Sequence, residues 1–214
     1  MQDVKYWQDR PKDDAQRDWL YGKESWTEDY WQSAEHPHRK VIVDAIVGMQ
    51  ARSVLDIGCN AGPLLRLCKE RGIQRLAGID ASAEAIALAK ERLPEADLQV
   101  GDFTKHIPWA PGDFDVVVAD ASLMYVHPND ILSVIDVLGQ LARRGLIIAD
   151  RFSGSRLGEP TAKGHIWARN YGALLADFGW NAGKWVKHVK VTEDLWPGSP
   201  GWQKDGWIWI AERA

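Results

Sequence analysis

The densest chemistry in this 214-residue chain is a loop, Asp56-Ile57-Gly58-Cys59-Asn60-Ala61-Gly62. It follows the apolar run Ser53–Ile57 and precedes a helical period over residues 63–71. A strand that turns tightly into a helix aims backbone N–H groups at the negative or electron-rich end of a ligand. The loop is not a Walker-type phosphate cradle, because Pro63 follows Gly62 where Lys and a hydroxyl residue are needed. The spacing Gly58, Asn60, Gly62 does not give the G-x-G-x-x-G of a dinucleotide loop either. Asp56, two residues ahead of the first glycine, would repel a pyrophosphate and suits a ligand carrying positive charge there. Three further acids, Asp80, Asp102 and Asp120, stand at or just after the ends of apolar runs.

These residues need elements to hold them. Residues 76–80 (LAGID) read as a strand and 82–93 as a helix, with Ser82 a candidate N-cap and Glu84 in the first turn. Residues 98–100 form a third short strand, Phe114–Asp120 a fully apolar fourth, 129–141 a helix, and 145–150 a fifth strand. Ahead of them, residues 37–50 space Val41, Ile42, Ala45, Ile46 and Met49 as an amphipathic helix. Continuous apolar strands alternating with helices predict a parallel sheet covered on both faces. Residues 152–164 read as a mobile Gly-rich loop, 166–178 as a helix, and 185–191 with 207–211 as a final β-pair.

At this point the residues resemble class I S-adenosylmethionine-dependent methyltransferases. The family's first motif, an acid then x-G-x-G-x-G, stands here from Asp56 to Gly62, with Asn60 at the middle glycine. Asn tolerates the positive φ that such a turn demands. The resemblance covers about residues 41–151. It implies a Rossmann-like α/β fold with a mostly parallel seven-stranded sheet, helices on both faces and an antiparallel last strand. It also implies S-adenosylmethionine as cofactor. Asp80 would take the ribose hydroxyls, Asp102 the adenine amino group, and Phe103 would pack on the ring. Cys59, Ala81 and Ala121 would lie against the cofactor, and Asp120 would open the reaction chamber. In similar enzymes an N-terminal segment folds over the cofactor and an Arg pairs with its carboxylate. Arg39 or His36 fits that role here, with Trp31 nearby.

The reaction such an enzyme performs is an in-line displacement, so the protein aligns the nucleophile and excludes water. A hydroxyl or ammonium nucleophile also needs a base. His127, in the run after Asp120, is the first candidate, with Asp120 beside it; His165 is a candidate lid residue. The residues after the fourth strand, Asp120-Ala121-Ser122-Leu123, depart from the Asn/Asp-Pro-Pro-aromatic tetrad of the base-amine methyltransferases. A divalent ion, as in catechol-type enzymes, is not expected, because Arg151 follows Asp150 where those enzymes carry Asn.

Composition sets the remaining bounds. The net charge of −4 argues against a bulk nucleic-acid binder, although residues 151–214 hold 9 basic and 6 acidic side chains, +3. No apolar stretch suits a membrane span, and no signal-type apolar core opens the sequence. The two cysteines, Cys59 and Cys68, suit a reducing cytoplasm. Twelve tryptophans cluster in the flanks, and only Trp109 lies between Trp31 and Trp167. The expected organisation is an aromatic arm over residues 1–40 covering the site and a methyltransferase domain over 41–214. The loops 152–164 and 191–205 serve as lids, and Trp31, Trp196 and Trp202 are candidates for the acceptor site. The leading function is methyl transfer to oxygen or nitrogen of a small molecule. The rivals are an RNA methyltransferase and a non-catalytic cofactor-binding partner subunit, and an oligomer is compatible with the aromatic flanks.

Overall fold

The computed structural model describes residues 26–161, 166–180 and 186–213. The arm expected over 1–40 is thus described only from Trp26 onward, and His165 lies outside the described residues. Helix α1 (Trp26–Gln32) runs through a 3-10 turn (Ser33–Glu35) into α2 (Pro37–Gly48), which crosses the boundary expected at residue 41. There follow β1 (Ser53–Ile57), α3 (Pro63–Glu70), β2 (Arg75–Asp80), α4 (Ala83–Arg92), β3 (Asp97–Val100) and β4 (Phe114–Asp120). Then come a 3-10 turn (Leu123–Tyr125), α5 (Ile131–Leu141), β5 (Ala142–Arg151), β6 (Glu159–Pro160), β7 (Trp167–Ala168) and α6 (Tyr171–Asp177). The chain closes with β8 (Val186–Lys190), α7 (Pro200–Asp205) and β9 (Gly206–Glu212).

Seven strands form one sheet in the order β3-β2-β1-β4-β5-β9-β8. The pairs from β3 to β5 are parallel, and β9 runs antiparallel to both β5 and β8. This is the Rossmann-like sheet with an antiparallel last strand. Alternate strand residues face opposite layers. Val54, Val116, Val118 and Ile147 pack toward one layer with α2 and α3, while Leu55, Val117, Leu146 and Ile148 pack toward the other with α5 and α6. Burial on both faces explains why these strands read as unbroken apolar runs. Among the described residues, no helix is long and apolar enough to cross a membrane.

The strand order reverses between β1 and β4, and a crevice opens there at the carboxyl ends of the strands. Three expectations differ: β6 lies within the loop expected over 152–164, α7 lies within the loop expected over 191–205, and the helix expected over 166–178 starts later. Residues 166–170 are not helical: Trp167 and Ala168 pair antiparallel with Pro160 and Glu159. The helix begins only after Asn170, whose side chain accepts from Ala173 N at 3.0 Å. The extended segment lets the fully buried Arg169 reach the carbonyls of Leu157, Leu123 and Val126. A guanidinium needs such acceptors once water is gone.

Candidate active site

The floor of the crevice is built at the exits of β1, β2 and β3. Gly58 has φ +74°, and a Cβ there would stand 2.5 Å from Ser122 Cβ, so only glycine lets the β1 exit approach the β4 exit. Asn60 adopts φ +49°, as its tolerance of that region predicted. Its own Oδ1 accepts from Ala61 N at 2.7 Å, which closes the turn. Gly62 (φ +83°) caps the N-terminus of α3. Asp80 joins two loops: Oδ2 accepts from Asn60 N at 2.9 Å and Oδ1 from Ser82 N at 2.8 Å. Burial pushes its carboxyl upward in pKa, against the pull of these N–H groups and that of Ala81. Ser82 caps α4 as expected, accepting from Ala85 N. At the β3 exit, Asp102 Oδ1 accepts from Thr104 N and Oγ1 at 2.9 and 2.6 Å.

Asp56 is different. Its side chain is almost fully buried and lines the crevice, yet Oδ1 has no hydrogen-bond partner. Burial raises its pKa well above the usual carboxylate range; Asp120 adds to the rise and Arg39 opposes it. An unpaired buried carboxyl is costly unless a donor or cation completes it. Cys59 packs over Gly78, and burial holds both Cys59 and Cys68 far above the thiolate range, so neither acts as a nucleophile.

The wall and roof come from distant parts of the chain. Asp120 ends β4, next to Ala121 in the left-handed region at φ +57°. Asp120 accepts from Arg39 Nε at 3.0 Å and sits 3.0 and 3.1 Å from His38 Nε2. Burial works to raise its pKa, but His38 and Arg39 outweigh it and hold the carboxyl well below the usual range. Behind it, His38 Nδ1 meets His36 Nδ1 at 2.7 Å, so the two rings share a proton. His36 is pushed down to about 4, first by burial and then by the charges of His38 and Arg39. The His38 ring stacks on Trp196 with centroids 4.1 Å apart, and Trp196 stacks on Trp202 at 4.0 Å. Arg151 closes the column, 5.0 Å from the Trp202 centroid and ion-paired with Asp205.

A third cluster supports the wall from behind. Asp150 is fully buried and accepts from Met124 N at 2.8 Å, Arg151 N at 2.7 Å and Tyr171 Oη at 3.3 Å. Burial pushes it up to about 7 despite these donors and the nearby Arg169. Asp150 and Arg169 together fasten residues 123–126, and Met124, Tyr125 and Val126 line the crevice.

The crevice volume is about 370 Å³. Of the residues expected at the site, Arg39, Asp56, Gly58, Cys59, Asn60, Asp80, Ala81, Asp102, Phe103, Asp120 and Ala121 line it. Gly62 shapes the loop from outside the lining. Trp31 lies beneath the Arg66 and Arg92 guanidiniums, at 5.4 and 5.9 Å, and Tyr30 takes the place expected for it. His127 is exposed, its Nδ1 accepts from Asn129 N at 3.2 Å, and it does not line the crevice. Trp196 and Trp202 do line it. The residue that sequence reasoning passed over is His38. It stands in the run His36-Pro37-His38-Arg39, but its carboxylate partner is 82 residues away and no local pattern joins them.

Residues 54–145 match the family described as methyltransferase domain. The chain is 36% identical over 101 residues to the trans-aconitate 2-methyltransferase of Delftia acidovorans, covering 46% of this chain and 37% of that protein. It is 33% identical over 114 residues to the ubiquinone biosynthesis O-methyltransferase of an Azoarcus species, covering 51% and 48%. The chain thus spans about half or less of the length of these relatives. Among solved structures, the magnesium protoporphyrin IX methyltransferase of Synechocystis PCC 6803 with bound SAH superposes with a TM-score of 0.67. That match has 16% identity and covers 99% of this chain and 98% of that one, so the likeness is one of fold.

Proposed function

We propose that this chain, whose residues 54–145 match a methyltransferase domain, moves a methyl group from S-adenosylmethionine to an oxygen or nitrogen of a small molecule. The observation that carries the reading is the crevice floor: a glycine-pinched loop bridged by Asp80, with the orphan carboxyl oxygen of Asp56 beside it. These residues fit the cofactor. Asp80 keeps lone pairs for vicinal hydroxyls, Asp102 and Phe103 stand at the β3 exit for a purine, and Asp56 Oδ1 suits an ammonium. When bound, S-adenosylmethionine supplies an activated methyl group on a sulfonium.

The remaining work belongs to the chain. Asp120 is anchored by His38 and Arg39, so its carboxylate is fixed in position to accept a hydrogen bond from the acceptor. The general-base role expected of His127 therefore passes to Asp120, with His38 behind it. Trp196 and Trp202 wall the acceptor side and keep water out. Alignment of this kind is worth several powers of ten in rate. Among the described lining residues, four carboxylates face one cation, Arg39, which is already paired. That balance favours a small acceptor over a phosphate backbone.

Calorimetry with S-adenosylmethionine, S-adenosylhomocysteine and an NADH control tests the reading. Micromolar binding of the first two and no NADH signal is expected, followed by methyl-label transfer in an acceptor screen. Failure of both to bind overturns it.

A further inference from the structure

For each methyl group that a hydroxyl or amine acceptor gains, it gives up a proton, and that proton must leave a buried site. Asp120 faces the crevice, but its other contacts lead away from it. His38 Nε2 lies 3.0 Å from Asp120, and the His38 ring is only 1% exposed. Its other nitrogen meets His36 Nδ1 at 2.7 Å, and His36 reaches partial exposure at the surface. Trp196 stacks on the His38 ring and meets the His36 ring at a tilt of 57°, and the backbone N–H of His38 bonds to Leu195 O at 3.1 Å, so the pair is clamped from the C-terminal loop. We propose that His38 and His36 are the proton exit of this site, carrying the acceptor's proton from Asp120 to solvent. The proposal rests on the methyl-transfer reading for the origin of the proton, but not for the route.

The step balances without an oxidant or reductant. The acceptor–carbon bond forms as the sulfur–carbon bond breaks, and the bonding pair stays on sulfur. The acceptor's proton passes to an Asp120 oxygen and on to His38 Nε2. With the shared proton first on His38 Nδ1, that proton moves to His36 Nδ1, and His36 releases its Nε2 proton to water. The charged groups around the wire are disposed to let the proton pass. Arg39 Nε donates to Asp120 at 3.0 Å and keeps it ionised, so Asp120 passes the proton on to the bare His38 Nε2. Burial and the neighbouring cations push His36 down to about 4, so it gives the proton up at neutral pH. Asp56, the other carboxyl near Asp120, faces the crevice rather than the wire.

The test follows the His38 ring proton itself. In the ¹⁵N-histidine-labelled full chain, its exchange with solvent is measured by NMR with and without S-adenosylhomocysteine, which fills the crevice. In the wild type, exchange is expected to persist when the ligand is added. His36→Phe, which keeps a ring against Trp196 but cannot carry a proton, is expected to slow exchange at least tenfold with the ligand present. His36→Gln, which keeps a polar group of similar size, serves as the second variant should the first fail to fold, and the same slowing is expected. Unchanged exchange in a folded His36 variant overturns the proposal, because the proton then leaves by another route. A merely structural His36 would alter melting temperature but not this rate. Absence of any ligand-induced shift would count against the methyl-transfer reading, while the unliganded comparison still decides the route.

Discussion

The floor of the crevice is closed by backbone, and its roof is closed by side chains. The floor uses Gly58, Asn60 and Gly62 in left-handed conformations and ties the loop to Asp80 through the main-chain N–H of Asn60, 20 residues away. The roof joins α2 to the segment after β8 through His38, Trp196 and Trp202, and α2 to β4 through Asp120. A backbone floor tolerates little substitution because no rotamer can yield. A side-chain roof tolerates more, and its failure should show in turnover before it shows in cofactor affinity.

The largest effect should come from the floor. Gly58→Ala forces a Cβ into Ser122 at a φ of +74°. We expect it to cost about 3 kcal/mol of stability, as overpacking plus backbone strain. Cofactor affinity should fall about 100-fold, read by denaturant melts and by S-adenosylhomocysteine titration. Next, Trp196→Ala removes the centre of the roof stack. A loss of about 2 kcal/mol in chemical denaturation is expected, with S-adenosylhomocysteine affinity held within about threefold. An equal loss of affinity would erase the distinction between floor and roof. Asp80→Ala should weaken the cofactor about tenfold and leave the His38–Asp120 pair intact, as titration and histidine spectra would report.

The remaining effects are protonic and have opposite signs. Asp150 sits near 7, above its ordinary 3.8, so its contribution is whole below 3.8 and is lost as pH rises through 7. His36 sits near 4, below its ordinary 6.5, so its contribution is whole above 6.5 and is lost as pH falls to 4. Asp150→Asn should therefore leave a protein that weakens only on acidification. His36→Gln should leave one that weakens only as pH rises, by about 1 kcal/mol per unit. The His36 slope should be the shallower, because that ring is partly screened by water. Melting temperature from pH 4 to 8 measures both.

The same contrast explains what could be read from the sequence. The floor was legible because each part is local: a strand, a turn and a cap adjacent in the chain. The boundaries of β1 and β4, the Ser82 cap and the positive φ of Asn60 all follow from neighbours. The roof was legible as named side chains, Arg39, Trp196 and Trp202, but not as the contacts that join them. Pairing His38 with Asp120 needs the strand order, and choosing Tyr30 over Trp31 needs the rotation of α1. His127 looked suitable because it follows β4 in sequence, but the turn at Leu123–Val126 is turned by the Arg169 contacts and carries it to the surface. The helix expected from residue 166 failed for the same reason, since a buried guanidinium recruits carbonyls that no local pattern announces.

The strand β9 lies between β5 and β8, and among the described residues β8 has no other neighbour in the sheet. On a ribosome, the first five strands can therefore assemble, with their crevice floor, while β8 waits unpaired for the last residues of the sheet to emerge. Until then β5 presents a raw edge, and the segment bearing Trp196 and Trp202 is held by α2 and Arg151 rather than by the sheet. A nascent chain stalled before β9 would be sticky along that edge.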